Sequence, residues 1–93
     1  MSSDLQKEYD IQRYNSLKEQ IKIISQKLYT AIDNIDLLNN EVKTKYQIND
    51  DASLVSSRIN SLRENIFGTY NYLINEVIPA LDSATLNLQN KKD

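Results

Sequence analysis

The chain has 93 residues, 11 basic and 13 acidic, for a net charge of −2. That length makes one small domain at most, and Lys and Arg interleaved with acids do not form the basic stripe of a nucleic-acid binder. Without Cys or His there is no disulfide, no thiolate metal site and no imidazole base, and no apolar run approaches the ~18–20 residues of a membrane span.

One Gly and one Pro leave the chain almost without punctuation, which predicts few, long elements. The opening MSSDLQKEYD lacks the basic stretch and apolar core of a cleaved export signal. A first helix is expected over about residues 4–45, with Ser2 or Ser3 as N-cap, acids in the first turn, and Lys43 and Lys45 in the last. Leu17, Ile21, Ile24, Leu28, Ala31, Ile35, Leu38 and Val42 alternate spacings of 4 and 3, and Tyr14 extends them backward. That is the rhythm of a heptad seam. Ile23 and Leu37 form a further apolar line outside it, two heptads apart.

YQINDDAS, residues 46–53, reads as the break. Asn49, Asp50 and Asp51 suit a turn and helix cap. A Ca²⁺ loop would need about 6–8 oxygen ligands and a glycine turn.

A second helix is expected over about residues 52–90. Val55, Ile66, Val77 and Leu88 recur every 11 residues, with Ile59, Leu62, Tyr70, Leu73, Leu81 and Ala84 between them. A hendecad favours a straighter path than a heptad. Apolar phase persists across Pro79, which predicts a helix kinked there but continuous. The competing arrangement is a break near residues 76–78, with Pro79 opening a short third helix. Gly68 fits either a close approach by a neighbour or an unconstrained surface position.

The expected fold is therefore all-α, a single antiparallel helical-hairpin domain over residues 1–93. The hairpin exposes more apolar surface than one seam can cover. From Glu64 to Asn90 the only charged residues are Glu64, Glu76 and Asp82. Charge depletion with aromatic enrichment marks interface cores. Phe67, Tyr70, Ile74, Val77, Ile78, Ile23 and Leu37 are the candidate partner-binding residues. Completion to a bundle by a helical partner protein or by a second copy, as a homodimer, is expected. Asp33 and Asp36 share a helix face without a third ligand, and no phosphate loop or catalytic constellation is present. The chain is expected to be no enzyme, to take no cofactor or metal, and neither to bind nucleic acid nor to insert in a membrane.

A chain of this length and hairpin layout, without a cleaved export signal, resembles the WXG100/ESAT-6-like proteins of type VII secretion. It also resembles the small helical proteins that accompany LXG-domain toxins in Gram-positive bacteria. The Trp-x-Gly turn of the first family is replaced by YQIND. A Tyr-x-x-x-Asp/Glu export motif is matched by Tyr72–Glu76, and also by Tyr46–Asp50 and Tyr29–Asp33. Tyr72 and Glu76 are best placed, near the C-terminal end of the second helix. The resemblance implies a cytoplasmic protein, or one secreted by the type VII route. It would bind the helical N-terminal domain of an LXG toxin, with a second small helical protein, and promote its export. The alternative is a structural coiled-coil subunit or homo-oligomeric scaffold of a larger complex.

Overall fold

A computed structural model describes residues 2–45 and 50–91. Helix α1 runs Ser2–Lys45 and α2 runs Asp50–Tyr72. A π turn, Leu73–Val77, leads without a break into α3, Ile78–Asn90. The fold is an antiparallel all-α hairpin of two long helices, the second made of α2, the π turn and α3. Helix α1 starts two residues earlier than the sequence predicts, so Ser2 and Ser3 lie within its first turn rather than before it. Asp4 does occupy the first turn, and Lys43 and Lys45 the last. The second helix begins at Asp50 rather than Ala52. The expected turn residues 46–49, and with them the Tyr46–Asp50 motif, lie outside the described residues.

The chain gathers into two compact units, Met1–Ser25 with Asn71–Asp93, and Gln26–Tyr70. In the first, Lys18 Nζ meets Asp82 Oδ1 at 2.6 Å, and Lys7 Nζ donates to the Lys91 carbonyl at 2.7 Å. In the second, Asp36 faces Arg63, Asn39 faces Asn60, and the Tyr29 ring meets Tyr70. Numbers rise along one strand of each pairing as they fall along the other, which is the antiparallel register.

The seam differs from the expected one by one column. On α1 the buried and half-buried positions are Lys7, Asp10, Ile11, Tyr14, Lys18, Ile21, Ser25, Leu28, Ala31, Ile32, Ile35, Asn39 and Val42. The column Tyr14, Ile21, Leu28, Ile35, Val42 was expected in the seam and lies there. The companion column is Lys18, Ser25, Ile32, Asn39, while Leu17, Ile24 and Leu38 stand exposed beside it. The second helix shows the same shift: Ala52, Ser56, Ile59, Arg63, Ile66 and Tyr70 turn inward, whereas Val55 and Leu62 are exposed. The physical reason is local pairing. Asn39 donates to Asn60 Oδ1 at 2.7 Å and accepts from Ser56 Oγ at 2.8 Å, and the Ser25 hydroxyl donates to the Ile21 carbonyl at 2.8 Å. Satisfied in this way, small polar groups can occupy a seam that apolarity alone would give to leucine.

The expected hendecad column is not the seam of the second helix, because Val55 stands exposed while Ile66 turns inward. Seam positions up to Leu73 keep heptad spacing, and then the π turn inserts one residue. The Ile78 amide donates to the Leu73 carbonyl, five residues back. Beyond it Ile78, Leu81, Thr85 and Leu88 resume the 3, 4, 3 rhythm. Pro79 has no amide hydrogen, and its ring crowds the carbonyl four residues earlier. A wider turn just ahead of it relieves that crowding, so the helix passes Pro79 without ending.

Candidate interaction faces

A two-helix hairpin has two open sides, and in the Gln26–Tyr70 unit they differ in chemistry. One side is fixed by contacts that α1 and α2 make along one edge of the seam. Arg63 Nε donates to Asp36 Oδ1 at 2.5 Å and Arg63 Nη2 to Asp36 Oδ2 at 3.3 Å. The Tyr29 and Tyr70 ring centroids are 5.7 Å apart, and Phe67 stacks on Tyr70 at 6.4 Å. The Arg63 guanidinium also lies 6.0 Å from the Phe67 ring centre. Tyr29 and Phe67 remain 54% and 43% exposed. The bond to Asp36 raises the Arg63 pKa above its ordinary value, helped by the Asp36 charge, and Asp33 and Glu64 add their fields. This aromatic face therefore sets three carboxylates around one guanidinium. It continues into a groove of about 550 Å³ lined by Val42, Lys43, Ser53, Ser57, Asn60 and Glu64, among others.

The other side is aliphatic. Leu38 lies two residues beyond Asp36, and Leu62 two beyond Asn60. Two residues turn an α-helix by about 200°, so Leu38 and Leu62 look away from the aromatic face. Leu38, Leu62 and Val55 are all half exposed, with Ala31 in the same column of α1. In the Met1–Ser25 and Asn71–Asp93 unit, Leu17 and Ile24 hold that column on α1, and Val77 and Ala84 hold it on the second helix. No known protein family, curated protein or solved structure matches this chain.

The sequence-predicted partner residues fall in several places. Phe67 and Tyr70 come together on the aromatic face. Ile74, within the π turn, is exposed, and Val77 and Ile78 are half-buried. Ile23 and Leu37 stand far out on α1, 52% and 69% exposed. Tyr72 ends α2 and Glu76 lies in the π turn, both exposed. Gly68 is exposed, and a methyl group placed there would meet nothing within 4 Å, so no neighbour within this chain requires the glycine. The aliphatic face was missed as a face because its residues were assigned to the seam. The signal was present in the same heptads: Lys18, Ser25 and Asn39 follow Leu17, Ile24 and Leu38 one for one. Among the described residues no cluster of three or more His, Cys, Asp or Glu could hold a metal ion, and no helix is long and apolar enough to cross a membrane.

Proposed function

We propose that this chain is a non-enzymatic helical adaptor, completed by helices of another protein packed on its aliphatic side. The observation that carries this reading is the exposed column Leu38, Leu62 and Val55 beside a seam whose buried apolar residues, among those described, are Ile32 and Ile35. Fully burying each such side chain contributes about 1.5–3 kcal/mol, so covering the exposed half of these three would add roughly 2–5 kcal/mol. Its residues carry no charge, which suits a bundle core and not a solvated rim. The hairpin layout agrees in shape with the small helical proteins that accompany LXG-domain toxins, and the partner in this reading is the helical N-terminal domain of such a type VII-secreted toxin, which the adaptor would escort to export. Exposed Tyr72 and Glu76 are then the residues offered to the secretion machinery.

Co-expression with the helical N-terminal domain of an LXG-domain toxin tests the reading. A stable complex should form, and it should be lost when Leu38→Asp and Leu62→Asp are combined. Helicity of the free chain should survive, because neither side chain is buried in it. A complex indifferent to both substitutions would place the partner elsewhere. A second reading, self-association into a scaffold, is favoured by one quantity. The chain keeps 7155 Å² of accessible surface, roughly 1,600 Å² above the norm for a monomer of 10.8 kDa. That excess is about twice the roughly 800 Å² that one partner contributes to an ordinary protein interface.

A further inference from the structure

We infer that the aromatic side of the hairpin is a second docking surface, independent of the aliphatic side, and that its occupant is a basic amphipathic helix of another protein. Three features of the Gln26–Tyr70 unit point to that chemistry. The first is an anchor: Tyr29, Phe67 and Tyr70 pack against one another yet leave Tyr29 and Phe67 about half uncovered. Aromatic side chains already held by their neighbours lose little entropy on binding, and such residues dominate interface energetics.

The second feature is charge. Asp36 is taken up by Arg63 through two hydrogen bonds. The charges of Asp33 and Glu64 act on the same guanidinium. The surface around the anchor is thus net negative, and the second helix offers no Lys or Arg from Glu64 to Asn90 to offset it. Complementarity calls for Lys or Arg on the arriving segment. Lys43 lies at the far end of the adjoining groove, so an acid at that end of the segment would fix its direction.

The third feature is room for a helix. The groove walls are small side chains, Ser53, Ser56, Ser57 and Ser61, which allow a backbone to come close. From Ser53 to Tyr70 the α2 surface extends for about 26 Å, the length of a helix of roughly 17–18 residues. An arriving segment of that size would set its apolar stripe on the aromatic anchor and its basic flank over Asp33 and Glu64.

The test uses the full chain and a synthetic 20-residue amphipathic peptide with Leu on one stripe and Lys on both flanks. A twin peptide carries Glu in place of every Lys. Fluorescence anisotropy should show the Lys peptide binding at least about tenfold more tightly than its twin, with affinity falling as salt rises from about 50 to 300 mM. Phe67→Ala should weaken binding by about tenfold or more, with unchanged circular dichroism. Combining Asp33→Lys with Glu64→Lys should reverse the preference between the peptides. The Leu38→Asp, Leu62→Asp chain should bind the Lys peptide as the parent does. Equal affinity for the two peptides, no binding of either, or indifference to Phe67→Ala would overturn the inference. Loss of peptide binding in the Leu38→Asp, Leu62→Asp chain would also overturn it, by placing the peptide on the aliphatic side, and would leave the proposed function standing.

Discussion

Asn39 shows how much one residue decides here. It is 8% exposed, and its amide joins α1 to α2 through Asn60 and Ser56. A buried Asn in a helical seam contributes less stability than Leu would, but it holds the register, because a shifted pairing leaves it without partners. Asn39→Ala should lower the free energy of unfolding by about 1–2 kcal/mol, since the seam loses two hydrogen bonds and gains a small void. Asn39→Leu should recover that loss or exceed it. Its cost should appear instead as mixed registers, read as a split or broadened distance distribution between spin labels at the exposed positions Leu37 and Ser61. A single distance in the Leu variant would show that the ion pair and the rings fix the alignment without the amide. The same residue explains why the seam was misread from sequence. An apolar pattern assigns Leu38 inward, and nothing in the one-dimensional spacing reports that Asn39 finds Asn60 and Ser56 across the gap.

At the scale of elements, the π turn is where the second helix reconciles its sequence with the seam. Existence, length and direction of both helices were legible, because a chain with a single Gly and a single Pro has few places to stop. The kink-or-break alternatives at Pro79 resolve as a continuous helix, with the accommodation placed ahead of the proline in Leu73–Val77. The hendecad column does not form the seam: Val55 is exposed, and the seam keeps heptad spacing on either side of one inserted residue rather than following a long right-handed drift. That distinction can be tested by removing the insertion. Deleting Asn75 together with Pro79→Ala should restore regular α-helix while keeping Ile78, Leu81 and Leu88 on the seam. Thermal denaturation should then show a gain, up to about 3 kcal/mol, from removing an interior proline. Deleting Asn65 instead should destabilise the fold, because every later seam residue would rotate by about 100°. If both deletions are equally harmful, the π turn is needed for something other than phase, and the two exposed motif residues, Tyr72 just before it and Glu76 within it, become the first place to look.

For the molecule as a whole, the deciding contrast lies between its small buried core and its two unlike sides. Ile32 and Ile35 are its buried apolar residues among those described, and Ser25 and Asn39 share their burial. Fixing each residue's backbone costs roughly 1–2 kcal/mol, and a core this thin leaves little margin for a lone chain. Covering the exposed aliphatic column is therefore the natural source of further stability, whichever helices supply the cover. Linkage makes this measurable without knowing the partner. If a second copy covers the aliphatic side, the melting temperature should climb with protein concentration, because association favours the folded form by mass action. If only a different protein covers it, melting should stay independent of concentration, occur at low temperature, and rise sharply when the partner's helical domain is added. Leu38→Asp with Leu62→Asp should erase whichever dependence is found. A high melting point, indifferent to concentration, partner and both substitutions, would mean the hairpin is complete as it stands, and the aliphatic side would then have no interaction to explain it.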